Sequence, residues 1–163
     1  MILSTTRTTT LERLVGMGQI AVGSASERLG AILGSCIGLA IHHPRLKTGG
    51  VAHIVLPDSS GRAGTPGKFA DTALPHMLAL LADLGVPVHG LTAKLAGGAN
   101  MFGASGPMQI GRANVEAVTR LLRVAGVRVA AQDVGGTRGR RVTFDCASGD
   151  LVVECAGHPP RTL

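Results

Sequence analysis

Tryptophan and tyrosine are absent from this 163-residue chain, and it has only three phenylalanines. Proteins that hold single-stranded nucleic acid stack bases on such rings, so the formal charge of +6 argues only weakly for that partner. A nucleic-acid reading would need strong, salt-dependent binding to DNA to support it. Long hydrophobic runs are missing too. No apolar segment reaches the roughly 18 residues of a membrane span, and no basic stretch leads into an apolar run at the N-terminus. The expectation is a cytoplasmic protein without membrane insertion. Cysteine is scarce: Cys36, Cys146 and Cys155 are odd in number and lack paired metal-type spacing, which supports neither a disulfide framework nor a zinc site.

What is present suits one domain with one buried core. Residues 1–16 are rich in Thr and Arg without sustained periodicity and read as a loose lead-in, with the folded domain over residues 17–163. Short apolar or alternating runs at Gln19–Gly23, Leu29–Leu33, Cys36–Ile41 and Gly50–Leu56, punctuated by Gly, Ser and His-Pro, read as strands. Ile37, Leu39 and Ile41 alternate with Gly38, Ala40 and His42, giving one bulky face and one with room for something to approach. Helical spacing appears over Asp71–Leu84, starting a turn before Pro75, and again around Val115, Val118, Leu121 and Leu122 with Gly126 as its stop. Leu91–Leu95, Val127–Ala131, Arg141–Cys146 and Leu151–Cys155 read as further strands, the last two joined by a turn at Ser148, Gly149 and Asp150. The order is not a strict strand–helix alternation, so the expected class is α+β, helices packed on sheets. Arg138, Arg140 and Arg141 read as a solvated loop, and His42 and His43 as exposed at a hairpin turn.

The strongest chemical signal is Cys36, followed seventeen residues later by His53 on an adjacent strand-like run. A thiol needs a base to become a good nucleophile, and a histidine in an apolar strand needs a partner. Gly34 and Ser35 place the thiol at a turn-to-strand junction, where unpaired backbone N–H groups, that of Cys36 among them, can form an oxyanion hole. His76, His89 and His158 have no companions at ligand spacing.

The words Leu33-Gly34-Ser35-Cys36, Gly49-Gly50-Val51-Ala52-His53, Val55-Leu56-Pro57-Asp58-Ser59, Gly67-Lys68-Phe69-Ala70-Asp71-Thr72, Gly97-Gly98-Ala99-Asn100-Met101-Phe102 and Ile110-Gly111-Arg112-Ala113-Asn114 resemble the chemoreceptor glutamine deamidases, the CheD family of bacterial chemotaxis. The resemblance runs from about Met17 to Val153. It implies a layered α/β sandwich with mixed sheets and two main helices, like that of cysteine-dependent deamidating toxins. It also implies conversion of glutamines on acidic chemoreceptor helices to glutamates, without metal or organic cofactor. Cys36 matches the family nucleophile, His53 the base, and Gly97, Gly98 and Asn100 lie in a motif that can approach the substrate. The family's third catalytic member is a threonine five or six residues before the cysteine, where this chain has Ala31 and Gly30. A backbone carbonyl or Ser26 would then have to orient His53. The family also implies a CheC-type phosphatase partner, so the competing expectation is a binding module with little catalysis.

Overall fold

The computed structural model describes residues 11–101 and 109–163. In chain order the elements are β1 (Glu12–Leu14), β2 (Ile20–Ser24), β3 (Arg28–Leu33), β4 (Ile37–His43), β5 (Thr48–Ile54), α1 (Ala70–Asp83), β6 (Thr92–Gly97), α2 (Ile110–Ala125), β7 (Arg128–Val134), β8 (Arg140–Asp145), β9 (Leu151–Glu154) and β10 (Arg161–Thr162). They form two mixed five-stranded sheets, ordered β2-β5-β4-β6-β7 and β1-β3-β8-β9-β10. With two helices on two sheets, the class is α+β.

Central strand β4 shows how the layers arise. Its bulky face, Ile37, Leu39 and Ile41, joins Ala52 and Ile54 of β5 in a core with Met77 and Leu81 of α1 and Val118 and Leu122 of α2. The opposite face, with Ala40 on β4 and Val51 on β5, packs against Leu29, Ala31 and Leu33 of β3 and Val142 and Phe144 of β8. What the small residues admit is therefore a second sheet. The order is helices, inner sheet, outer sheet, and β4 and β5 are buried along their whole length. Gly126, at φ 75°, ends α2 in the left-handed cap that glycine favours.

Ordered structure begins ahead of Met17. Residues 1–10 of the lead-in lie outside the described residues, but β1 pairs in parallel with β3, and the buried Val15 donates its N–H to the Gly30 carbonyl at 2.7 Å.

Two readings of charged residues are corrected. His42 and His43 are buried at the end of β4, not exposed in the turn, which begins at Pro44. The outer sheet covers His42: its Nε2 lies 3.0 Å from the Cys146 carbonyl and its ring meets Phe144 edge-on. Arg140 is likewise no loop cation. It is buried at the start of β8, donates to the Gly97 carbonyl at 2.7 Å, to the Asp133 carbonyl at 2.8 Å and to the Gly135 carbonyl, and pairs with the Asp133 carboxylate. Arg141 pairs with Glu12 at 3.1 Å, and Arg138 donates to the Ala156 carbonyl. Arg140→Met removes a charge-assisted clamp and leaves buried carbonyls short of donors. It should destabilise the fold by on the order of 3 kcal/mol, read as a thermal midpoint lower by roughly 10 °C.

Candidate active site

The β4–β5 register sets His53 opposite Gly38 and Ile54 opposite Ile37, the last rung before the strands separate. Cys36 lies two residues before Gly38, so it shares a face with Gly38 and His53 and sits diagonal to His53 across the pair. Such diagonal neighbours are within reach of long side chains, and the glycine opposite His53 leaves the path clear. The two groups that the sequence singled out thus lie on one face at the same end of the layer between the sheets. Both are buried. No hydrogen bond joins them in this resting arrangement, because His53 Nε2 has no partner among the described residues.

The other ring nitrogen defines the tautomer. Nδ1 of His53 lies 2.9 Å from the carbonyl oxygen of Val15, which can only accept, so Nδ1 carries the proton and Nε2 presents its lone pair. Burial lowers the imidazole pKa below its ordinary value, opposed in part by the Val15 bond. Burial likewise raises the Cys36 thiol, opposed in part by its own backbone N–H. The resting pair is therefore neutral imidazole and neutral thiol, not a preformed ion pair. Cys146 is a different cysteine: burial, with Glu27 and Asp145 nearby, pushes its pKa up to about 12, as suits a packing residue.

The turn carrying the thiol is held by its carbonyls. Gly34 O accepts from Ala99 N at 3.0 Å, Ser35 O from Asn114 Nδ2 at 3.0 Å and Cys36 O from Gly98 N at 2.9 Å. With all three oxygens fixed towards α2 and the loop after β6, the N–H groups of Ser35 and Cys36, each opposite a carbonyl across a trans peptide, turn the other way, and that of Cys36 lies against its own sulfur. That is the arrangement an oxyanion hole requires. Gly97 and Gly98 make it possible, with φ of 100° and 64°. A side chain on Gly97 would run into the Cys36 carbonyl, and one on Gly111 of α2 into the carbonyls of Gly98 and Ala99. The Arg140 clamp and the Gly135 N–H hold Gly97 from behind. Asn100 N donates to Gly136 O at 2.8 Å, and Met101 reaches over Gly34. Phe102, the end of that motif, lies outside the described residues.

The family profile described as CheD chemotactic sensory transduction matches residues 55–155. The chain is 40% identical over 148 residues to the chemoreceptor glutamine deamidase CheD of Thermotoga maritima, covering 90% of this chain and 94% of that one. It is 43% identical over 141 residues to the probable chemoreceptor glutamine deamidase CheD of Methanococcus maripaludis strain C6, covering 85% and 92%. The chain belongs to the CheD family.

The two positions where the family threonine is expected lie on opposite faces of β3, and Ala31, on the inner face, has no hydroxyl to offer. Along β3, Leu29, Ala31 and Leu33 face the inner sheet, so Gly30 faces outward, where a side chain would collide with Glu12. Position 30 acts here through its main chain: the Gly30 carbonyl holds Val15 N, and the Val15 carbonyl holds His53. Ser26 is exposed in the turn between β2 and β3, and the Val15 carbonyl, not the Ser26 hydroxyl, holds Nδ1. The sequence reading allows for a backbone carbonyl without naming it, and quotes Asn114 only within a motif. Val15 acts through a backbone oxygen, which leaves no mark in a sequence. Asn114 does leave one, an amide in line with Val118 and Leu122 on the apolar stripe of α2. Among the described residues no group of three or more His, Cys, Asp and Glu gathers as a metal ligand set, and no helix is long and apolar enough to cross a membrane.

Proposed function

We propose that this chain hydrolyses the side-chain amides of chemoreceptor glutamines to glutamates, with Cys36 as nucleophile and His53 as base. The observation that carries the roles is the unpartnered Nε2 of His53, held as a lone-pair donor by Val15 on the face it shares with the thiol. Nε2 takes the thiol proton as Sγ attacks the amide carbon, and the oxyanion forms against backbone N–H groups of the 34–36 turn. The imidazolium then protonates the departing nitrogen, and ammonia leaves behind a thioester. His53 next takes a proton from water, the resulting hydroxide adds to the thioester carbonyl, and the tetrahedral intermediate expels Cys36, which regains its proton. The balance is glutamine plus water giving glutamate plus ammonia. Localisation in the cytoplasm follows from the substrate, whose acidic helices lie there.

Incubation with a receptor cytoplasmic fragment tests the reading through the amide-to-acid mass increase and ammonia release. The formal charge of +6 should speed encounter with acidic helices, so kcat/KM should fall severalfold between low and physiological salt. A rate constant insensitive to salt would remove steering from the account. The competing reading, a module that binds receptor or a CheC-type phosphatase, draws on the unformed Cys36–His53 bond. Stable binding without conversion would favour it.

A further inference from the structure

Beyond the pair that does the chemistry, the most unusual polar group in the described residues is Asn114. It stands in the first half of α2, fully buried, on the stripe where Val118 and Leu122 pack into the apolar core. Its Nδ2 makes two bonds of 3.0 Å, one to the Ser35 carbonyl and one to the Val55 carbonyl. Both partners can only accept, so the amide orientation is fixed and both of its hydrogens are used. Its Oδ1 is buried without a partner among the described residues. A leucine in line with Val118 and Leu122 would spare the orphaned Oδ1 but would leave the Ser35 and Val55 carbonyls without this donor, so the amide is kept for the two carbonyls it joins.

The β4–β5 ladder ends at the Ile37–Ile54 pair. One step further the register would set Cys36 opposite Val55, but the strands have parted there and Val55 N is drawn to the Lys68 carbonyl. Ser35 is the residue before the nucleophile, and Val55 lies two past the base. Resting on the dyad reading above, we infer that Asn114 is a positioning residue: its amide ties the two chain segments together just beyond the end of their ladder, fixes the spacing of the Cys36 turn from the His53 strand, and holds the Ser35 carbonyl turned away from the reacting centre.

The test is Asn114→Leu, assayed well below its melting temperature. Because the amide touches no substrate, KM for a receptor fragment should stay within about twofold while kcat falls roughly 10- to 100-fold, the range expected when reacting groups are misplaced. A second readout needs no substrate: the pH dependence of Cys36 alkylation, with and without His53→Ala. In the otherwise unchanged protein, removing His53 should alter the profile. In Asn114→Leu, the additional removal of His53 should change it little. A folded Asn114→Leu protein with unchanged kcat and an unchanged, His53-dependent thiol profile would overturn the positioning role and leave the dyad standing. A thiol profile that ignores His53 in the otherwise unchanged protein would instead overturn the dyad, and this inference with it. If Asn114→Leu does not fold, Asn114→Asp decides. Its buried, protonated carboxyl has one donor for two carbonyls, so kcat should fall severalfold, and an undiminished value overturns the proposal.

Discussion

Cys36→Ala removes deamidation while the protein still folds. The thiol sits at the rim of the layer between the sheets and makes no side-chain hydrogen bond to His53. Alanine there loses one buried sulfur and strands no polar partner, so the thermal midpoint should move by only a few degrees. The rate, by contrast, loses its nucleophile, and what survives is the contribution of the oxyanion hole and substrate binding. A fall on the order of 10⁴-fold or more is expected. Cys36→Ser should fare little better, because an ordinary hydroxyl is a poorer nucleophile and burial disfavours its ionisation further. The measurement is conversion of a receptor fragment by mass spectrometry, with circular dichroism on the same samples. Undiminished ammonia release from a folded Cys36→Ala protein would sink the assignment of the nucleophile.

Activity should persist to lower pH than an ordinary histidine permits. The base works only while Nε2 is unprotonated, and burial holds the His53 pKa below its usual value near 6.5. Protonation, and with it the loss of kcat/KM, is therefore displaced downward, and the acid limb should fall below pH 6.5. At the other end, burial holds Cys36 as a thiol beyond its ordinary range, so alkylation of the resting enzyme at neutral pH should be slow. A preformed thiolate–imidazolium pair would give the reverse: fast alkylation that persists into acid. His53→Ala should lower kcat by about 10²- to 10⁴-fold and abolish the acid limb. An acid limb above pH 6.5 in the unmodified enzyme would contradict the buried, neutral imidazole.

Much of this was legible because local pattern and global packing agree. Bulky residues at every second position of β4 announced a strand, and helical spacing up to Gly126 announced α2. His42 and His43 misled for a local reason. The His-Pro pair reads as a turn, whereas their burial is imposed by Phe144 and Cys146, about a hundred residues away. Arg140 misled in the same way, since Gly-rich neighbours suggest a solvated loop and only the folded chain gathers the carbonyls that hold it. Within the site, chemistry borne by side chains was visible at Cys36 and His53. Main-chain roles were legible only in kind: which carbonyl holds Nδ1, and which way the N–H groups of residues 34–36 turn, depend on the backbone atoms that the fold has already paired. Of the two positions that lack the family threonine, Ala31 faces the layer between the sheets, whereas a side chain at Gly30 would face away from it, against Glu12.

The anchors of the two reacting groups belong to different layers. The thiol turn hangs from α2 and the loop after β6, while the imidazole is pinned by residues at the edge of the outer sheet. Close-packed layers keep their shape but can slide against each other. A shear of the outer sheet across the inner one would shift the Val15 carbonyl against β5, and with it the hydrogen bond that orients the His53 ring.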